Sequence, residues 1–268
     1  MYNQQFNNFL IKAQLSENTI RAYCYAINDY FSRFQIVSQD NLLNYKHYLI
    51  DNYSPSTVNQ RIRAMNRYLK FIGRDDLPLQ GVRIQQNSFL GDTLDYETYN
   101  YFKKCLSRES DLQWYFIVSV LSTTGIRVGE LVEIEAREVY LGYIDIFGKG
   151  GKCRRVFLRE SLRDELLRWM RRENREEGPL FRNRFSGQIT TRGVSLQIGR
   201  LARKYGIDPS KVHPHAFRHL FAKKFLEKTG DVALLADLLG HSSIETTRIY
   251  LRKTVEEQRR IVEKVITW

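Results

Sequence analysis

Between His215 and Tyr250 the chain reads His215-Ala-Phe-Arg218-His219, then Gly240-His241, then Tyr250 nine residues beyond His241. Those residue types are the ones needed to cut and rejoin a phosphodiester. Arginine forks onto non-bridging phosphate oxygens, imidazoles hold or move protons, and a phenolic oxygen serves as a covalent nucleophile. Each also has an ordinary reading. Tyr250 is one of 16 tyrosines, and a tyrosine late in a helix is commonly a half-buried packing residue. Upstream, Thr124-Gly-Ile-Arg127-Val-Gly-Glu130-Leu131 sets an arginine after a glycine turn, with a carboxylate one helical turn on that can brace it. Gly148-Lys149-Gly150-Gly151-Lys152 then lies between two short runs, Tyr143 to Phe147 and Cys153 to Phe157, that read as strands of a hairpin. It departs from a phosphate-binding P-loop, because no Ser or Thr follows the lysine.

The elements that must carry these residues are mostly helical. In the first 72 residues, Ser16 caps a helix in which Ile20, Tyr23, Cys24, Ile27, Tyr30, Phe31 and Phe34 recur at helical spacing. A shorter stripe, Phe6, Phe9, Leu10 and Ala13, precedes it. Ser38 caps a third helix expected to bury Leu42, Leu43 and Leu49. Ser54-Pro55 or Ser56 opens a fourth, with Val58, Ile62, Met65, Leu69 and Ile72 inward. On that fourth helix Arg61, Arg63, Arg67 and Lys70 form either a solvated face or a phosphate-contacting one. Gly73, Pro78, Gly81 and Gly91 interrupt the pattern, so residues 74–92 read as a linker. Helical patterns resume beyond it at about 94–106, 111–124, 160–174, 193–205, 215–229, 231–239 and 243–251. The fold class is mainly α with a small antiparallel β-sheet, in two domains, 1–73 and 93–268. After Tyr250, an apolar stripe from Leu251 through Val255, Ile261, Val262, Val265 and Ile266 to Trp268 marks a carboxy-terminal helix at about 253–268.

In order along one chain, Thr-Gly-Ile-Arg-Val-Gly-Glu-Leu, Gly-Lys-Gly in a hairpin, His-x-x-Arg-His and Leu-Leu-Gly-His followed by Tyr at plus nine resemble the tyrosine recombinase (integrase) family. The match runs through the second domain, the first 72 residues resemble its helical core-binding domain, and the size is similar to the compact Xer-type members. The resemblance implies that Tyr250 forms a 3′-phosphotyrosine and that Arg127 and Arg218 clamp the scissile phosphate. It makes Lys149 the general acid, with Lys152 its competitor, and His215 the general base. His241 would hydrogen-bond the phosphate, Glu130 would support the clamp, and His219 would be structural or touch the phosphate side. Arg154 and Arg155 would meet the DNA backbone or solvent. It further implies double-stranded DNA recombination sites as substrate, no metal and no other cofactor. The carboxy-terminal helix would dock on a neighbouring protomer in a homotetramer, or in a heterotetramer with a related recombinase. A type IB topoisomerase-like enzyme and a non-catalytic DNA-binding accessory protein are the competing readings.

Composition agrees with an anionic partner. The 268 residues carry 42 Lys+Arg against 30 Asp+Glu, a formal charge of +12, which points to nucleic acid before a membrane surface. The excess is spread: ten against six in residues 1–85, 32 against 24 beyond, with no detachable basic tail. Cys24, Cys105 and Cys153 match neither zinc spacing nor a disulfide framework. The opening residues lack the regions of a signal peptide and no apolar run approaches a membrane span. The expectation is a soluble cytoplasmic protein of a bacterium or archaeon, working at the nucleoid.

Overall fold

Serine caps set two of the helix starts of the amino-terminal part. The computed structural model describes residues 2–83, 94–148, 153–241, 244–251 and 255–266, which fall into two units, Met1–Asn87 and Ser88–Trp268. The first unit holds α1 (Tyr2–Lys12), α2 (Glu17–Phe31), α3 (Gln39–Asn52) and α4 (Pro55–Phe71). The Ser16 and Ser38 hydroxyls accept from the backbone N–H groups of Thr19 and Asn41, satisfying donors that a helix start leaves free. Proline at the first helical position of α4 has no N–H to satisfy.

The core of this unit joins Phe6 and Leu10 of α1 to Ile27 and Tyr30 of α2, Leu42, Tyr45 and Leu49 of α3, and Val58, Ile62, Met65 and Leu69 of α4. Burying each such side chain contributes about 1.5–3 kcal/mol. Leu43, expected inside, is 44% exposed. At 100° per residue it cannot share the face of Leu42, and Tyr45 takes the inward position instead. Arg61 also corrects the reading of α4, because its guanidinium is not on the open face. The residue is 8% exposed, with NH1 2.5 Å from Asp29 Oδ2 and its guanidinium carbon 4.1 Å from the centre of the Tyr53 ring. Arg67 is half-buried over the Phe9 ring, while Arg63 and Lys70 are exposed.

Residues 79–82 are held against α4 by two asparagine side chains. Asn66 donates to the Leu79 carbonyl and accepts from its N–H, and Asn59 does the same with Val82. The start of the stretch read as a linker is thus tied to the first unit.

The second unit contains α5 (Tyr96–Leu106), α6 (Gln113–Thr124), α7 (Val128–Leu131), α8 (Ala136–Leu141), β1 (Tyr143–Phe147), β2 (Cys153–Phe157), α9 (Glu160–Arg172), α10 (Thr191–Lys204), α11 (Pro214–Thr229), α12 (Val232–Leu239), α13 (Ile244–Arg248), a 3₁₀ turn over Ile249–Leu251, and α14 (Val255–Val265). The fold is mainly α with a two-stranded antiparallel sheet, as the patterns imply. Helix α6 lies at its centre, with Phe116, Ile117, Val118, Val120 and Leu121 buried. In the hairpin Tyr143 pairs with Phe157 and Phe147 with Cys153. Alternation sends Ile144, Ile146 and Val156 inward and leaves Phe147 and Phe157 exposed. The short helices α7 and α8 escaped the sequence reading, since so few residues show no period. Among the described residues no helix is long and apolar enough to cross a membrane.

Candidate active site

Gly125 ends α6 in the left-handed region, at φ +66. A Cβ there would run into Phe221 and lie 2.9 Å from Leu239, so the turn demands glycine on conformational and steric grounds. It delivers Arg127 as the N-cap of α7. Glu130, three residues on, reaches back: Oε2 accepts the Arg127 backbone N–H at 2.7 Å and Oε1 accepts NH1 of its guanidinium at 3.0 Å. The Arg127 side chain remains 42% exposed. Glu130 thus caps the helix and orients the arginine together.

Arg154 completes this arrangement and corrects the expectation that it meets DNA or solvent. Its NH2 donates to Glu130 Oε2 at 2.6 Å and its Nε to the Leu238 carbonyl at 3.0 Å, leaving the side chain 12% exposed. Gly240 packs so closely that a Cβ on it would lie 2.7 Å from Arg154 NH1. Consecutive strand residues point to opposite faces: Arg154 faces inward, whereas Arg155 lies outward, paired with Asp145 and stacked on Tyr143. Burial opposes ionisation of Glu130, but Arg154, the Arg127 N–H and the Arg127 guanidinium outweigh it and hold the carboxyl below its ordinary pKa.

Helix α11 starts at Pro214, and the His213 ring caps it by accepting from the Ala216 N–H. That start places Arg218 on the buried face, 4% exposed. Its NH1 donates to the Gly125 carbonyl at 2.6 Å and its NH2 to the Leu239 carbonyl at 2.8 Å. Both carbonyls end helices, where the partial negative charge suits a cation. NH2 also lies 2.9 Å from His241 Nε2. Burial and the neighbouring Arg127 lower the Arg218 pKa, and the Tyr250 hydroxyl beside it acts in the opposite sense.

Tyr250 sits in the 3₁₀ turn after α13, packed against Ala222, Leu235 and Leu239. Its ring centre is 4.9 Å from that of His219, edge to face, and 6.1 Å from that of His241, nearly parallel. Burial, then His215, His213 and Arg218, lower the pKa of His219. Burial, then Arg218, Arg127 and Arg154, push that of His241 down to about 4, so both imidazoles are neutral near pH 7.

Arg127, Glu130, Arg218, His219, His241 and Tyr250 therefore converge, although they come from separate stretches of the chain. His215 is exposed, one helical turn before His219. Lys149 and Lys152 lie outside the described residues. A cavity of about 770 Å³ lined by Arg127, Glu130, Arg154, Asp237, Gly240 and His241 opens beside the cluster. Thr247 and the inward role of Arg154 were missed, the first because an isolated threonine carries no signal, the second because strand facing is set by packing. Among the described residues no group of His, Cys, Asp and Glu could hold a metal ion.

Residues 94–257 match the phage integrase family. The tyrosine recombinase XerA of Thermococcus kodakarensis is 31% identical over 273 residues, covering 97% of this chain and 94% of that protein. A crystal structure of XerH site-specific recombinase bound to its difH substrate in a pre-cleavage complex is similar in fold, with TM-score 0.69 and 21% identity over 91% of this chain and 78% of that one. So is a lambda integrase tetramer bound to a Holliday junction, with TM-score 0.73 and 14% identity over 94% of this chain and 76% of that one.

Proposed function

The chain belongs to the phage integrase family of tyrosine recombinases, and from that premise we propose that it cuts and rejoins DNA at specific sites through a phosphotyrosine made by Tyr250. The observation that carries this reading is the position of the Tyr250 phenol, beside the buried Arg218 and against the His219 and His241 rings of the same chain.

The Tyr250 oxygen attacks the scissile phosphorus, the P–O5′ bond breaks, and a 3′-phosphotyrosine and a free 5′-hydroxyl result. A tyrosine with a pKa near 10 is a poor nucleophile at neutral pH, so the phenol must lose its proton to a base and the phosphate charge must be offset. Arg127 and Arg218 supply the offset as two fixed forks, the kind of preorganised charge that stabilises an equatorial oxyanion. His215 takes the phenolic proton, and the adjacent His219 is the control for that assignment because its ring is the one in contact with Tyr250. Lys149 gives a proton to the departing 5′-oxygen. Rejoining reverses the step, since the bond energy is retained in the protein–DNA link, and no nucleotide is consumed.

Assembly follows from α14. Val262 and Val265 are exposed along it and Ile266 just past its end, an apolar face suited to a neighbouring protomer in a tetrameric synapse. Deleting residues 256–268 is expected to weaken pairing of two sites while sparing cleavage of one.

The decisive experiment recovers DNA covalently bound to the protein, sequences its ends, and rebuilds that site with a nick beside the cleavage point. The wild type should trap as a covalent adduct and Tyr250→Phe should not. An adduct that survives Tyr250→Phe removes Tyr250 as nucleophile. Absence of any wild-type adduct favours a non-catalytic DNA-binding protein, and relaxation of supercoils without exchange between two duplexes favours a topoisomerase.

A further inference from the structure

Thr247 is fully buried, at 0% exposure, in a short helix otherwise turned toward solvent at Ile244 and Thr246. Its Oγ1 lies 2.8 Å from His241 Nδ1. It also stands one helical turn before Tyr250, on the segment that carries the nucleophile. The other ring nitrogen of His241, Nε2, is 2.9 Å from Arg218 NH2. These two contacts determine where the imidazole proton resides. A guanidinium donates and never accepts, so Nε2 must offer its lone pair to Arg218. The remaining proton of a neutral ring is then on Nδ1, donated to the Thr247 hydroxyl oxygen.

We propose that Thr247 is a positioning residue, whose hydroxyl fixes His241 in the Nδ1–H form and thereby holds both Arg218 and the Tyr250 segment in place for strand cleavage. The assignment rests on the recombinase reading and deepens it. It gives His241 a task that precedes DNA binding: with its proton directed to Thr247, Nε2 receives the NH2 of Arg218 and aims it. A hydrogen bond at each end of one ring ties the phosphate clamp to the helix that leads into the nucleophile's turn. The ring of Tyr250 lies 12° from parallel with that of His241, so a rotated imidazole would also lose its place against the phenol.

Among the described residues no other group is as well placed for this. The His213 ring is spent on the cap of α11, and His219 meets Tyr250 with its ring edge to face rather than stacked. Thr247 needs only its hydroxyl, which separates its role from packing. Valine keeps the shape and removes the oxygen, whereas serine keeps the oxygen and removes a methyl group.

The test has two readouts. In the first, full-length protein labelled with ¹⁵N at histidine is examined by NMR without DNA. The His241 ring should show a protonated Nδ1 and a bare Nε2 in the wild type and in Thr247→Ser, and a mixture of tautomers in Thr247→Val. In the second, single-turnover cleavage is measured on the nicked duplex rebuilt from the recovered adduct, with binding to the same duplex followed by fluorescence anisotropy. Thr247→Val should cleave roughly tenfold to a hundredfold more slowly, the size of effect a misaligned reacting group produces, with its Kd about unchanged. Thr247→Ser should stay close to wild type. A wild-type His241 protonated at Nε2 overturns the assignment, as does a Thr247→Val protein that cleaves at the wild-type rate. So does a Thr247→Ser protein as slow as the valine variant. Should the wild type form no adduct on any DNA, the recombinase reading fails, while the tautomer measurement still decides whether Thr247 sets the ring.

Discussion

Among the described residues two arginines are buried, one in each unit, and their partners differ. Arg61 in the first unit is 8% exposed and Arg218 in the second is 4% exposed. Arg61 lies 2.5 Å from the Asp29 carboxylate and against the Tyr53 ring. The described bonds of Arg218 go to two helix-ending carbonyls, an imidazole nitrogen and the Tyr250 hydroxyl, dipoles rather than a contacting carboxylate. A buried charge is costly unless paired. Arg61 is paired already and acts as a tie within the helical bundle. Arg218 is positioned but not neutralised, which is the condition in which an incoming phosphate gains most. Arg127 is the intermediate case: Glu130 orients it, yet its side chain stays open to solvent.

The largest expected effect comes from breaking the second case. Arg218→Lys keeps the charge but loses the fork, and single-turnover cleavage should fall by on the order of 10²–10³-fold, with a much smaller change in DNA affinity by anisotropy. A lysine variant that cleaves normally would show that the fork is not what the phosphate needs. Arg61→Met attacks the first case. It leaves Asp29 with the Tyr45 hydroxyl and the longer Arg33 contact, so urea unfolding of the first unit should lose about 1–3 kcal/mol, and Asp29→Leu combined with Arg61→Met should recover most of it. Cleavage per folded molecule should stay near wild type, and a specific cleavage defect in folded protein would make Arg61 functional after all.

Glu130→Gln probes the intermediate case. It removes the charge shared by Arg127 and Arg154, and a loss of roughly tenfold in cleavage is expected from a loosened clamp. The same variant with Arg154→Met should be less than additive, because both changes cut one network.

The smallest effect is on pH dependence. His241 has a native pKa of about 4 against an ordinary value of 6.5, and His219 and His213 are lowered too. As pH falls below the ordinary value, the unfolded chain binds these protons first. The stability they contribute is therefore complete above about pH 6.5 and is lost on the way down to about 4. The unfolding midpoint of the second unit should drop over that window, and His241→Asn should flatten the slope. A midpoint that rises on acidification contradicts the direction assigned to these histidines.

Much of the site was legible because its motifs are local. Arg127 with Glu130, and Arg218 with its flanking histidines, are each set within one helical turn by spacing alone. What was not legible is what depends on facing. Leu42 and Leu43, or Arg154 and Arg155, are chemically alike neighbours, and packing of distant elements decides which turns inward. Asn59 and Asn66 carry no signal of their own in the sequence, yet each clasps a backbone segment more than a dozen residues away.

The sequence by itself determined the residue types that the motifs bring to the site, the mainly helical class and the glycine turn at Gly125, because these rest on residue chemistry and on backbone angles that few residues adopt. Only the tertiary structure decided that Arg218 is held by carbonyls while Arg61 is neutralised by Asp29, that Arg154 braces the clamp, and that Thr247 meets His241. Those outcomes depend on which groups from remote parts of the chain are buried together. In a low-dielectric interior, the partner a charge or a ring nitrogen finds determines what it can do.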